Sequence, residues 1–226
     1  LSKSVKKIAV IGPNADDEAM LLGNYNGFPS SITTILKGVK TKLSEDKIFY
    51  DKGCDIIEDM ITQSLIENCS FDGKAGMKVT YWNNKEFKGE IVTSEQIVSP
   101  IQLTTAGQNQ FSSGVNLKGF SGKYETVYHA SQSEEIVFRL EFGGKCEVIV
   151  NNETLFSKEL WQLAPIRIPY KVKNGKDYKI EIKYSAVNDG VEASLKLNVG
   201  REIPVNYDAL VNKLKGLDEV IFVGGI

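Results

Sequence analysis

Two patterns of apolar and polar positions divide the chain. The run Ile8-Ala9-Val10-Ile11 carries no polar residue and stops at Gly12-Pro13, which predicts a short strand buried on both faces, as parallel strands are. The residues after such a strand are expected at the carboxyl edge of a sheet, where α/β folds place their ligands. From Ile32 to Leu43 the apolar positions Ile32, Ile35, Leu36, Val39 and Leu43 recur at helical spacing, so a helix is expected to pack back onto the strand. Residues 47–50 read as a second strand leading to Lys52-Gly53-Cys54-Asp55, and 56–68 as a further helix broken at Asn68-Cys69-Ser70-Phe71-Asp72-Gly73.

Near residue 72 the character changes. Segments such as Lys78–Trp82, Ile136–Phe142, Glu147–Val150, Tyr178–Tyr184 and Ala193–Leu197 alternate strictly, with turn signals at Asn151-Asn152, Asn174-Gly175 and Asn188-Asp189-Gly190. That pattern predicts an antiparallel β-sandwich with one wet face. After Pro204 a helix (207–214) and another buried strand (219–223) ending in glycines are expected. Residues 1–71 and 204–226 therefore read as one α/β domain and 72–203 as a β-sandwich inserted into it, whose two ends must lie close together. The fold class expected is α/β plus all-β: a partial α/β-sandwich with parallel strands, interrupted by an inserted antiparallel β-sandwich.

With 226 residues and an apolar share of 42% the chain can bury an ample core. A net charge of −2 gives no electrostatic case for nucleic acid or an anionic membrane as partner. No apolar run approaches the ~18 residues that span a bilayer. The first residues carry no Met and no signal-peptide pattern, and the expectation is a chain that starts inside a longer protein. Cys54, Cys69 and Cys146 cannot all pair with one another and lack Cys-x-x-Cys spacing, so they read as small buried apolar residues.

Candidate chemistry is sparse. Ile8–Gly12 could open a dinucleotide site, but Asn14 and Asp17 stand where further glycines would be needed beside a pyrophosphate. Asp16, Asp17 and Glu18 form an acidic cluster past the strand end; neighbouring residues do not hold two carboxyls about 5 Å apart across a sugar bond, so loop and helix-start roles are favoured. His129 is the only histidine, which by count is expected to exclude a His-based triad and a multi-histidine metal site; it reads as a surface residue. Of Tyr81 and Trp82, adjacent in an alternating strand, one is expected in the core. Phe156 and Trp161 flank a connection, Ser157–Leu160, before Pro165. Trp161 could stack on the apolar face of a sugar ring or pack on its own sandwich.

The ordered set Lys6–Asp17, Leu21–Pro29 and Lys52–Asp55, with the lead-in Leu1-Ser2-Lys3, closely resembles the start of the C-terminal α/β-sandwich domain of glycoside hydrolase family 3, the β-glucosidases and β-xylosidases. The inserted segment resembles the protective-antigen-type β-sandwich through Gly76–Asn84 with Phe87-Lys88-Gly89, then Phe120–Glu125, then Val148–Phe156. Some family 3 β-glucosidases carry this module in the same place, which implies that it overhangs the active site and limits substrate length.

The resemblance implies a fragment of a retaining enzyme that cleaves β-linked glucosides or xylosides without metal or organic cofactor. Its nucleophile would lie in the catalytic barrel of the same polypeptide and its general acid beyond the strand ending at Gly225, so no residue here is assigned a catalytic role. Substrate contacts are expected from Trp161, with Asn24 and Tyr25 next because their loop follows the first strand. Sugar-binding members of the protective-antigen group hold calcium on paired aspartates where this chain has Gly143-Gly144, which argues against calcium-dependent capture. A periplasmic or extracellular location is implied for the parent. The alternative is a stand-alone carbohydrate-binding or adhesion module, for which the flanking α/β pieces would be superfluous.

Overall fold

The computed structural model describes residues 5–22, 29–54, 59–187 and 192–225. In chain order its elements begin with β1 (Ile8–Ile11), α1 (Ile35–Lys40), β2 (Ile48–Asp51), β3 (Met60–Ser64), β4 (Cys69–Phe71), β5 (Lys74–Ala75) and β6 (Met77–Trp82). They continue with β7 (Thr93–Ile97), β8 (Ile101–Thr104), β9 (Ser121–His129), β10 (Glu134–Val150) and β11 (Glu153–Val172). The last are β12 (Asp177–Ser185), β13 (Ser194–Pro204), α2 (Tyr207–Leu214) and β14 (Glu219–Phe222). The chain is mostly β and falls into two units, one built from its two ends up to Ile61 and from Ile203, the other being Thr62–Glu202.

In the first unit β1 lies between β14 and β2, and both pairings are parallel. Every residue of β1 is buried. Ile8, Val10, Ala15 and Leu36 form a small core, against which Val39, Leu43 and Ile221 pack. The helix is shorter than its periodicity predicts. Thr34 adopts an extended backbone and its Oγ1 accepts the Lys37 N–H at 3.1 Å, so the chain enters the helix only after this N-cap has satisfied one of the orphan donors. The strand expected at 219–223 forms, but not as a buried one. Val220 and Phe222 are 46% and 64% exposed on one face of β14, while Ile221 on its other face packs against the small core.

The second unit is a curled sheet in the order β3-β13-β10-β12-β9-β4-β5, with β11 beside β10, β6 beside β9, β7 beside β6 and β8 beside β13. Its spine is β10. Along one edge β10 pairs with β11 throughout; along the other it pairs with β13 over Val137–Gly143 and then with β12 over Lys145–Val150. The β10–β11 hairpin turns through Asn151 and Asn152, whose φ values of 50° and 67° give the both-positive turn that matches strand twist. Phe120, Tyr124, Phe138, Phe142, Ile182 and Tyr184 lie at the centre of the core, and burying a side chain such as Phe138 stabilises by about 2–3 kcal/mol. Tyr81 belongs to this core, whereas Trp82, also buried, meets Phe87 edge-on at 6.1 Å.

Several sequence expectations need correction. The helix expected over 56–68 does not form in its described part: Met60–Ser64 is β3, followed by a 3₁₀ turn at Ile66–Asn68. Pairing decides this, since β3 joins β13 so tightly that a Cβ on Gly200 would fall 2.5 Å from Thr62 Cγ2, and tertiary pairing overrides a short ambiguous apolar run. For the same reason the sandwich begins before the composition change at residue 72, because Leu65, Ile66 and Cys69 already lie in its core. The connection expected at Ser157–Leu160 is strand throughout, part of β11.

Candidate functional site

The Gly143–Gly144 pair, which offers no carboxylate to calcium, is where β10 changes neighbours from β13 to β12. Gly144 has φ of 121°, and a Cβ there would sit 2.6 Å from the Ser185 carbonyl oxygen, so only glycine fits this corner. The Tyr184 hydroxyl fixes it by donating to the Gly143 carbonyl at 2.6 Å and accepting the Ser194 N–H at 3.1 Å. On β11 the ladder runs Phe142 with Ala164 and resumes at Gly144 with Leu160. Trp161, Gln162 and Leu163 thus stand opposite the single residue Gly143, as a bulge.

Trp161 lies on that bulge, 72% exposed, with Leu163 52% exposed beside it. An indole held out on an edge strand is a flat apolar platform of the kind that takes a sugar ring. Pro165 and Pro169 come later on the same strand; proline supplies no N–H, which blunts the open edge against other strands. Phe156 is half-buried and meets Phe142 edge-on at 6.1 Å.

At the carboxyl end of the parallel sheet, Gly12 has φ of 118° and a Cβ would lie 2.3 Å from the Val223 carbonyl oxygen. This close approach lets the next loop fold over the strand ends. Asn14 is buried there, and its Oδ1 has no partner among the described residues. The acidic cluster is occupied with local structure. Asp16 accepts the Thr34 hydroxyl at 2.6 Å, Asp17 accepts the Met20 N–H at 3.2 Å, and Glu18 pairs with Lys37. Asn24 and Tyr25 lie outside the described residues.

His129 corrects an expectation. A single histidine does not exclude a triad, and its ring nitrogens contact Ser70 Oγ at 3.0 Å and Asp177 Oδ1 at 2.7 Å. The order Ser–His–Asp is that of acyl-transfer enzymes. These three side chains nevertheless lie on an exposed strand face, with those of His129 and Asp177 53% and 67% exposed. Water there screens the ion pair, and the neighbouring backbone is engaged in the β4–β9 and β9–β12 ladders, whereas an oxyanion hole needs donors free to meet developing charge. No local motif announces this trio, because the ladder joins residues far apart in sequence. Cys69 and Cys146 are buried free thiols, and burial pushes each pKa up to about 12.

The PA14 domain family matches residues 73–208, and the chain belongs to that family. A xylan 1,4-beta-xylosidase of Xylanibacter ruminicola is 40% identical over 228 aligned positions, which take in 100% of this chain and 26% of the relative. A beta-xylosidase of Formosa agariphila is 48% identical over 59 residues, 23% of this chain and 8% of the relative. Among solved structures, a beta-glucosidase from Kluyveromyces marxianus in complex with glucose superposes with a TM-score of 0.51 at 16% identity, over 98% of this chain and 28% of that one. That likeness is one of fold. The chain spans about a quarter or less of the length of these relatives.

Proposed function

We propose that this chain is part of a retaining β-glycosidase of glycoside hydrolase family 3, acting on β-linked xylosides, or glucosides, from the non-catalytic side of the active site. The observation that carries the reading is the 40% identity to a xylan 1,4-beta-xylosidase, which runs through both units. That continuity favours a shared parent enzyme over a stand-alone carbohydrate-binding or adhesion module. On this reading the three-stranded parallel sheet is a piece of an α/β-sandwich domain, and the sandwich unit Thr62–Glu202 is a PA14 module inserted into it.

Retaining hydrolysis needs a nucleophilic carboxylate and a proton donor on opposite sides of the scissile bond. Both are assigned to other parts of the parent polypeptide, the nucleophile to its catalytic barrel. This chain's share is to shape the entrance. Trp161 offers a ring platform to the distal part of a β-linked oligosaccharide, and Asn24 and Tyr25 are proposed as further contacts. No metal or organic cofactor is assigned, and calcium has no carboxylate pair at Gly143-Gly144. A periplasmic or extracellular parent fits this role.

Nitrophenyl β-xyloside and β-glucoside test the reading. The 226-residue chain should give only the background rate, and a polypeptide that also carries the barrel should turn over at least one of them. In that longer enzyme Trp161→Ala should raise KM for xylotetraose more than for xylobiose. Turnover by the chain alone, lost on Asp16→Asn or Asp17→Asn, would move the chemistry to the acidic loop and end this assignment.

A further inference from the structure

Between β7 and β8 the sandwich stays open. Among the described residues β7 pairs only with β6, and β8 only with β13, so each keeps an edge whose N–H and C=O groups no other strand takes up. Both line a cleft of about 740 Å³, a size within the range of about 300–1,000 Å³ that suits small ligands. The alternation of β8 gives this wall two characters: Ile101 and Leu103 turn into the core, and Gln102 and Thr104 turn out to solvent.

Phe111 lies against this wall. Its hidden side rests on Tyr81, edge-on at 5.6 Å, and on Phe120 at 4.7 Å, while the ring remains part of the cleft lining. Tyr81 also lines the cleft, but its hydroxyl is turned to Tyr124 at 3.3 Å, so it contributes apolar ring surface. Around this apolar floor stand Gln108 and Gln110. The Gln108 side-chain amide has no protein partner among the described residues. Gln110 uses its Nε2 on the Ser112 carbonyl at 3.2 Å, leaving its carbonyl oxygen. Glu95 is the single charged residue of the lining; one of its oxygens accepts the Ser112 hydroxyl, and the other is left to accept.

The chemistry of this set is selective. With one carboxylate and no Lys, Arg or His in the lining, a phosphate, a nucleotide or an acidic sugar would be repelled rather than held. A lone carboxylate is also too few hard ligands for a metal ion. Free amides offer a donor and an acceptor on one plane, which matches the vicinal hydroxyls of a pyranose, and Phe111 offers surface to its C–H face. We infer that the cleft between β7 and β8 is a binding site for a neutral oligosaccharide, held by Gln108, Gln110 and Glu95 over Phe111. The ligand class rests on the proposed glycosidase function; the location rests on the geometry alone.

Isothermal titration of the 226-residue chain with xylotetraose and cellotetraose tests it, beside a Gln108→Ala/Gln110→Ala double variant. Loss of two exposed amides leaves the core untouched, and removing their hydrogen bonds should weaken binding about tenfold. Absence of binding by either tetrasaccharide to folded chain, or equal affinity in the double variant with an unchanged circular dichroism spectrum, overturns the site. The two readings fail separately. A parent enzyme that hydrolyses nitrophenyl β-xyloside while the chain binds no oligosaccharide removes the cleft and keeps the enzyme; binding lost in the double variant, in a parent that hydrolyses neither glycoside, keeps the cleft and removes the enzyme.

Discussion

The hydroxyl of Tyr184 donates to the carbonyl oxygen of Gly143 across 2.6 Å, and the Ser194 N–H donates to that same hydroxyl at 3.1 Å. One phenol on β12 thereby joins β10 and β13 at the point where β10 exchanges one partner strand for the other. The ladder cannot satisfy those backbone groups at a corner, so a side chain does. Burial pushes the Tyr184 pKa up, which keeps the hydroxyl protonated as a donor.

Tyr184→Phe should therefore leave a carbonyl and an N–H without their partner, at a cost of about 1–3 kcal/mol. Urea titration should show a lower midpoint with an unchanged slope. A variant as stable as the parent sequence would mean that the corner does not depend on this hydroxyl.

Acid should weaken the sandwich unit through two carboxylates. Hydrogen bonds from Arg167 hold the Glu202 carboxyl below its usual range, with Arg139 adding to the effect, and Arg201 does the same for Glu134. A depressed pKa means that the stabilisation is complete above the unfolded value of about 4.3 and is lost as pH falls through the lower folded values. Urea midpoints should be level near neutrality and drop below about pH 4.3. Glu202→Gln should lower the neutral midpoint and flatten the acid limb; an acid limb of unchanged steepness would remove Glu202 from the account.

The thiols should separate by burial. Cys69 and Cys146 are buried with pKa values pushed up to about 12, while Cys54 is half-buried. A thiol-reactive disulfide reagent should modify Cys54 first in the folded chain and reach the other two only in denaturant. Cys54→Ser should abolish the fast phase. Rapid native modification of Cys146 would show that the core opens more readily than its packing implies.

Ser70, His129 and Asp177 should be chemically quiet. Nitrophenyl acetate should be hydrolysed no faster by the chain than by its Ser70→Ala variant, since the trio lies in water without free oxyanion donors. A Ser70-dependent acyl burst would instead make it an esterase site.

Much of the architecture could be read from the chain where local chemistry and tertiary context agree. Ile8–Ile11 is an unbroken apolar run because every residue of β1 is buried, and Asn151-Asn152 turns because asparagine tolerates positive φ. Reading failed where a distant partner decides the outcome. Met60–Ser64 is a strand because of β13, and Ser157–Leu160 is a strand because β10 lies alongside it. Trp161 was legible as a candidate, but its exposure depends on a bulge that exists only opposite Gly143. The Ser70 trio and the amide-lined cleft are assembled by ladders and edges, and no spacing in the sequence encodes them.

The backbone N–H of Val205 donates to the carbonyl oxygen of Asp59 at 2.9 Å, and the Tyr207 hydroxyl donates to the Asp59 carboxylate at 2.5 Å. The points where the chain leaves the α/β unit and returns to it are thus neighbours. Holding them together in an unfolded chain would cost loop-closure entropy on the order of 4–5 kcal/mol for a segment of this length. In the folded sandwich its own strands hold the two points together, which shortens the chain path between β1 and β14. Because the two points are neighbours, a short glycine turn from residue 59 to residue 205 would span the gap that the intervening segment now bridges.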